Sequence, residues 1–476
     1  MRVLLIDPEH HTEPRIPLAM SILSVVLRNA GHDAKVISTV FWFKDTNTGN
    51  RLKKEHGFVL ESDIDKYLIS DNKDVEIEIK AMVRDYQPNL IAMTMVENKF
   101  TLGIQILEYI KEVSDVPNVV GGIMPTIAPE MVLEQDPVDM ICIGEGEGVL
   151  VELANSISQN KDYSGVRNLW IKDRRTGKFI KNPIRDLIDM DSIPFQDWSD
   201  FDDRYLYKAF CGSVYRVGSF EISRGCMKRC GFCVAPILRK VYKKKGYYIR
   251  HKSPRRVVDE ILSLKDRYRL EMLHFCDTDF LVSMKFPYLQ ELSCLYKKEV
   301  GLPFMMQAGA ETINEGNIKL LKEMNCITMS IGVETGSESL RRKVLHKNIS
   351  NERIKYAFRL AKEYGIRTTA NYMIGLPFET EEDVMESIRF NKELLPPSIA
   401  VTYFIPFVGT EFYNLCIEKG YYKKFDPDAD TYRESPLETE YLSNRRINEL
   451  LDIFVQEYNK EIKKRPLPTS LIRPKI

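Results

Sequence analysis

Three cysteines within one short stretch, Cys226, Cys230 and Cys233, constrain this chain more than any other feature. They sit in Ser223-Arg224-Gly225-Cys226-Met227-Lys228-Arg229-Cys230-Gly231-Phe232-Cys233, directly after a predicted strand at 220–223. The spacing Cys-x3-Cys-x2-Cys puts three thiolates on one tight loop, and thiolates are the soft ligands that iron–sulfur clusters require. Three ligands for a four-iron cluster leave one iron open to a small molecule. Gly225 and Gly231 allow the backbone to close around such a cluster, and Lys228 and Arg229 are expected to offset its negative charge. A zinc site wants four ligands, which no nearby residue completes cleanly, His251 being the closest candidate. A redox dithiol needs only Cys-x2-Cys. The other six cysteines, Cys142, Cys211, Cys276, Cys294, Cys326 and Cys416, are scattered among apolar residues and read as small buried hydrophobes. Nine cysteines, an odd number without an export signal, argue against a disulfide framework.

The remaining bulk properties exclude more than they assign. The 476 residues suffice for two or three domains with substantial cores. Lys and Arg total 68, as do Asp and Glu, so no broad field argues for nucleic acid or an anionic membrane. No apolar run approaches the roughly 20 residues of a membrane span. The opening Met1-Arg2-Val3-Leu4-Leu5-Ile6-Asp7-Pro8 turns acidic too soon for a signal peptide, so a cytoplasmic protein is expected.

Residues 1–155 alternate strands and helices, the pattern of a parallel α/β sheet. Val3-Leu4-Leu5-Ile6 is a buried strand; Leu18, Ile22, Val25 and Val26 share a helical face that Gly31 terminates. Further strands are expected at 34–37, 90–95, 118–120 and 140–143, the last two running into Gly121-Gly122 and Gly144-Glu145-Gly146-Glu147. Ligands of such sheets bind at the carboxyl ends of the strands, where these glycine turns fall. Residues 156–215 are expected to be a connecting arm with a hairpin around Arg174-Arg175-Thr176-Gly177. A second αβ series fills 216–415, with strands near 220–223, 273–276, 304–307, 329–333, 369–374 and 401–405: a partial, open six-stranded β/α barrel. Its clearest helix starts at Ser253-Pro254, with Val257, Val258, Ile261 and Leu262 as the apolar stripe. Residues 416–476 read as a charged, mainly helical region ending in a Pro- and Lys-rich tail.

The barrel region resembles the radical S-adenosylmethionine (radical SAM) superfamily well beyond the cysteines. The matching pieces are the segment Arg250 to Ile261, Cys276-Asp277-Thr278-Asp279-Phe280, Gly332-Val333-Glu334-Thr335-Gly336-Ser337, Ile374-Gly375-Leu376-Pro377-Phe378-Glu379-Thr380 and Pro406-Phe407-Val408-Gly409-Thr410. The resemblance implies a 4Fe–4S cluster on Cys226, Cys230 and Cys233. It implies an S-adenosylmethionine site formed by Phe232, Gln307, Glu334, Lys347, Ile374 and Gly375. The cofactor's methionine end would chelate the open iron, and one electron would cleave the sulfonium to give a 5′-deoxyadenosyl radical.

Residues 1–150 resemble the cobalamin-binding domain that precedes the barrel in one branch of this superfamily. The resemblance rests on Arg15-Ile16-Pro17-Leu18-Ala19, Ala30-Gly31-His32-Asp33-Ala34, Gly121-Gly122-Ile123-Met124-Pro125-Thr126 and Gly144-Glu145-Gly146-Glu147. It implies an α/β architecture of a Rossmann-like cobalamin-binding domain, a partial (β/α)6 radical SAM barrel and a small helical C-terminal region. Cobalamin would contact His10, Gly121, Gly122, Pro125, Thr126, Gly144, Glu145, Gly146 and Glu147, the glycines admitting the flat corrin ring. The Asp-x-His-x-x-Gly motif of many cobalamin proteins is absent, and His10 and His11 stand where a ligand could approach.

The leading functional expectation is methyl transfer from methylcobalamin to an unactivated carbon or phosphorus centre. A rival on the same fold is cyclisation, rearrangement or carbon–carbon coupling without methyl transfer, and a remote one is a non-catalytic cobalamin or cluster sensor. The implied partners are a small-molecule or natural-product-like substrate and an electron donor such as flavodoxin or ferredoxin. No membrane span and no nucleic-acid binding are expected. Tyr421, Tyr422 and Tyr432 are candidate substrate contacts in the C-terminal region.

Overall fold

The computed structural model describes residues 1–10, 14–44, 60–173, 175–282 and 284–464. Its first sheet has seven strands: β1 (Arg2–Asp7), β2 (Asp33–Ser38), β3 (Leu90–Thr94), β4 (Asn118–Gly121), β5 (Met140–Cys142), β6 (Leu169–Lys172) and β7 (Phe179–Lys181). The order is β2-β1-β3-β4-β5-β6-β7, with the first five strands parallel and β6 and β7 antiparallel. Helices cover both faces, so β1 reads as an unbroken apolar run, Val3 through Ile6 all fully buried. The helix Leu18–Asn29 ends before Gly31, whose φ of 84° lies in the left-handed region.

The expected hairpin is β6–β7, but it extends the first sheet rather than forming a free arm. The strands that follow already belong to the second sheet: β8 (Tyr207–Phe210) and β9 (Ser213–Phe220). The first barrel strand therefore ends where the sequence suggested it began. Ser223–Arg224 (β10) instead makes a two-residue antiparallel pair with Arg250–His251 (β11).

The second sheet continues with β12 (Met272–Phe275), β13 (Phe304–Ala308), β14 (Cys326–Glu334), β15 (Arg367–Ile374) and β16 (Ser398–Tyr403). Its order is β16-β15-β14-β13-β12-β9-β8, with six parallel strands and an antiparallel edge. The six-stranded open barrel expected from the sequence is thus present. Unlike β1, β15 alternates strictly: Thr368, Ala370, Tyr372 and Ile374 pack outward under helices, while Arg367, Thr369 and Asn371 line an interior cavity. One face of this sheet meets protein and the other meets open space.

Of the six scattered cysteines, Cys142, Cys326 and Cys416 are buried as expected, Cys211 and Cys276 are half-buried, and Cys294 is exposed. The C-terminal region contains one long helix, Asn444–Lys464, preceded by an irregular stretch at 419–443, so it is less helical than expected. The tail beyond 464 lies outside the described residues.

The helix Pro254–Lys265 starts as the sequence suggests, with Ser253 Oγ accepting from Arg256 N. Its Glu260 meets Lys252 at 2.6 Å, both side chains 2% exposed or less. Removing one member of such a pair strands the other charge in the interior. Glu260→Gln should therefore lower the unfolding free energy by about 3–5 kcal/mol, whereas replacing both members by apolar residues should cost far less. Denaturant titration of both variants checks this.

Candidate functional site

The cysteine loop makes few hydrogen bonds of its own and is held from outside. Buried Asp277 accepts from Ser223 N at 2.6 Å, Ser223 Oγ at 2.5 Å and Ile222 N at 3.2 Å, which fixes the turn leaving β9. Gly225 has a φ of 104°, and a Cβ there would lie 2.4 Å from the carbonyl oxygen of Tyr248. A Cβ on Gly231 would lie 2.5 Å from the Phe412 ring. These are the close approaches that the two glycines were expected to permit. They are made to protein.

Cys226 and Cys230 are buried and Cys233 half-buried. Burial pushes the Cys230 thiol up to about 11 and raises that of Cys233, although Ala235 N–H donates to Cys233 Sγ at 3.5 Å. Metal binding must therefore displace protons from neutral thiols. Among the described residues, no three His, Cys, Asp or Glu side chains converge on a single ion. His251, the closest candidate for a fourth zinc ligand, bonds through Nε2 to Val282 O at 3.1 Å. A set of three thiols without a fourth donor fits a multi-iron cluster, whose size spaces its ligands further apart than one ion does. Lys228 does not provide free countercharge to the loop: its Nζ lies 3.0 Å from Asp279 and 2.8 Å from Glu311.

Glu334 and Lys347 are brought together beside the loop. Lys347 Nζ lies 2.8 Å from Glu334 Oε1 and donates to Gly332 O at 2.5 Å. Both charges act on Cys230. Glu334 has a φ of 69°, a strained backbone for glutamate, at the point where the β14–β15 register shifts. Phe232 and Gln307 line the cavity. Glu334, Lys347, Ile374 and Gly375 are not among its lining residues; a Cβ on Gly375 would meet Ile447 of the long C-terminal helix at 3.2 Å. The Gly375 turn is held by buried Glu379, which accepts from Gly375 N at 2.7 Å and Leu376 N at 3.2 Å.

The cavity, about 1620 Å³, opens between the two sheets. Cys233 and Phe232 stand on one wall, residues 96–98, Ile123, Met124 and Ile127 of the first domain on another, and the inner barrel face behind. Its roof includes residues 426–433, with Tyr432. Tyr421 and Tyr422 serve packing instead, their hydroxyls bonded to Glu440 and to Asp426 N. Glu97 bridges the domains: its Oε2 accepts from Val408 N at 3.1 Å, and burial pushes its carboxyl up to about 7.

Of the residues expected to contact cobalamin, His10 alone lines the cavity; His11 lies outside the described residues. Gly121, Gly122, Pro125, Thr126, Gly144, Glu145, Gly146 and Glu147 are not among its lining residues, although Ile123, Met124 and Ile127 of the same segment are. Thr126 Oγ1 donates to Gly122 O at 2.7 Å and accepts from Gly144 N at 2.9 Å, tying the two turns together. Gly122 is needed because a Cβ would lie 2.7 Å from Met95 O, and Gly144 because one would clash with Tyr242. Glu145 and Glu147 pair with Arg224. A glycine announces a close approach but not what approaches. Arg367, Thr369 and Asn371, which line the cavity, were legible only as the polar half of an alternating strand.

Comparison with known proteins agrees with this arrangement. Residues 220–390 match the model of the radical SAM superfamily, and residues 14–154 match that of the B12 binding domain. An uncharacterised methyltransferase of Pyrococcus horikoshii is 25% identical, covering 79% of each chain. Cytidylyl-2-hydroxyethylphosphonate methyltransferase of Streptomyces wedmorensis is 23% identical over 91% of this chain and 84% of its own. The anaerobic magnesium-protoporphyrin IX monomethyl ester cyclase of Rubrivivax gelatinosus is 25% identical over 71% of this chain and 60% of its own. Among solved structures, the radical S-adenosylmethionine methyltransferase TsrM of Kitasatospora setae, with cobalamin and a [4Fe–4S] cluster bound, shares the fold. Its TM-score is 0.66 at 20% identity, over 97% of this chain and 85% of that one.

Glu379 gives the stability of the fold a pH dependence. Burial pushes its carboxyl from the usual 4.5 to about 8, so the folded chain holds a proton that the unfolded chain has released. Its stabilising contribution is complete below about pH 4.5 and disappears as pH rises through 8. Glu379→Gln, which cannot ionise, should flatten the fall in stability over that window, by at most about 1.4 kcal/mol per pH unit for one group. Thermal unfolding across pH compares the two proteins.

Proposed function

The chain belongs to the radical SAM superfamily, in the branch with an N-terminal B12-binding domain, and on that premise we propose that it is a cobalamin-dependent radical SAM methyltransferase. The observation that carries this reading is the shared cavity: the thiol loop, the first domain's strand ends and the polar barrel face all border one space. When bound, the cluster supplies the electron that cleaves S-adenosylmethionine to a 5′-deoxyadenosyl radical, and cobalamin supplies the methyl group for an unactivated carbon or phosphorus centre.

The chain's own residues then have separable tasks. Cys226, Cys230 and Cys233 hold the cluster. Asp277, Gly225 and Gly231 set the loop's path. The Glu334–Lys347 pair presents fixed charge that acts on Cys230, suited to orienting the polar ends of S-adenosylmethionine, while Phe232 and Gln307 line the cavity. The enclosed barrel face positions a small-molecule substrate and excludes water that would quench a radical. His10, residues 96–98, Ile123, Met124 and Ile127 form the first domain's face toward the cavity, where cobalamin would lie.

The electron would come from a donor such as flavodoxin or ferredoxin. No disulfide links the cysteines, as suits a cytoplasmic, reducing setting, and among the described residues no helix is long and apolar enough to cross a membrane. Two relatives are named methyltransferases, which favours methyl transfer. The cyclase relative keeps a second reading in play, ring closure or coupling on the same scaffold without methyl transfer.

Anaerobic reconstitution with iron and sulfide should load about four irons per chain. With reductant and S-adenosylmethionine the loaded protein should release 5′-deoxyadenosine. The Cys226→Ala, Cys230→Ala, Cys233→Ala triple variant should lose both. Full iron loading and cleavage by the triple variant would contradict the reading. With a substrate in hand, a product one methyl heavier separates methyl transfer from ring closure.

A further inference from the structure

Ion pairs fasten the turn at 144–147 to the root of the cysteine loop. Arg224, two residues before Cys226, and Arg250 are direct partners across the β10–β11 ladder. Glu145 Oε1 bridges them, 3.1 Å from Arg224 Nη1 and 2.5 Å from Arg250 Nη2. Its Oε2 accepts from Ile188 N at 3.2 Å. Glu147 Oε1 lies 2.8 Å from Arg224 Nη1, and Glu221 Oε2 is 2.9 Å from Arg224 Nε. None of these side chains is more than a quarter exposed.

The same turn also reaches the far side of the loop. Glu145 N–H donates to Tyr242 Oη at 2.7 Å, and Tyr242 caps the helix Ala235–Val241 that follows Cys233. Gly144 is glycine because Tyr242 occupies the space a Cβ would need. One turn of the first domain therefore grips the chain both before and after the three cysteines. Charged pairs this enclosed tolerate little displacement, because separating them leaves a desolvated charge unmatched. Arginine suits the position, its planar fork serving three carboxylates where an ammonium could not.

We propose that the turn at 144–147 is an interdomain clasp that positions the cysteine loop against the first domain, with Glu145 as its central positioning residue. The proposal gives the Gly-Glu-Gly-Glu motif a role distinct from cradling cobalamin. It rests on the reading of the cysteine loop as the cluster site. The cluster's setting then depends on the docked state of the first domain, and loosening the clasp frees the loop without emptying the cobalamin face.

The test uses the full chain, free of iron, with iodoacetamide alkylation of each cysteine followed by mass spectrometry. In Glu145→Gln, Cys226 and Cys233 should react about tenfold faster, the signature of a locally opened segment. Buried Cys326 and Cys416 should stay protected, and hydroxocobalamin binding, followed by absorbance, should match the parent chain. Should Glu145→Gln expose Cys326 as well, the chain has unfolded, and Glu147→Gln decides by the same rates. Unchanged rates at Cys226 and Cys233 overturn the proposal, as does loss of hydroxocobalamin with those rates unchanged, which would return the turn to a cofactor cradle. The readout needs no cluster, so failure to load iron counts against the enzymatic reading alone.

Discussion

A loop whose thiols are reserved for metal, as proposed for this one, cannot use them to hold itself together. That constraint shapes everything around residues 225–234. The loop's path is imposed by neighbours: the Asp277 carboxylate at its entry, the Tyr248 carbonyl against Gly225, the Phe412 ring against Gly231 and the Leu345 carbonyl accepting from Gly231 N at 3.3 Å. Each comes from a different part of the chain, so the loop's geometry is a product of the whole barrel and its C-terminal cover.

The open sheet follows from the same need. A closed barrel would fill its interior with side chains, whereas six parallel strands and a hairpin edge leave a space with polar and polarisable walls. The inner face carries Gln307, Ser330 and Asn371 beside Met305 and Met306, and Asn371 donates to Ser330 Oγ at 2.8 Å. The first domain and the stretch at 426–433 close that space, Asp428 taking a hydrogen bond from Thr101 at 3.2 Å across the domain boundary.

Much of this was legible in the sequence for identifiable reasons. Barrel strands such as β12 to β16 were placed to within a few residues because their apolar runs stand between clear turn signals. Cysteine spacing is independent of context, so the loop stood out alone. The first barrel strand was misplaced because Ser213–Phe220 mixes Tyr215, Arg216 and Gly218 into its pattern and reads as irregular. The protein contacts of the glycine turns were not legible, because glycine reports only the absence of a side chain. Their neighbours, Met95 and Tyr242, lie far away in sequence. Long-range ion pairs such as Glu145–Arg250 carry no local signal at all.

In the proposed function, three cysteines hold a four-iron cluster with one iron free to take S-adenosylmethionine. The decisive experiment is Mössbauer spectroscopy of protein loaded with iron-57, before and after S-adenosylmethionine is added. The account predicts that one iron site in four changes its isomer shift while the other three stay fixed. A spectrum in which all sites remain equivalent, or in which the iron is mononuclear, would contradict it.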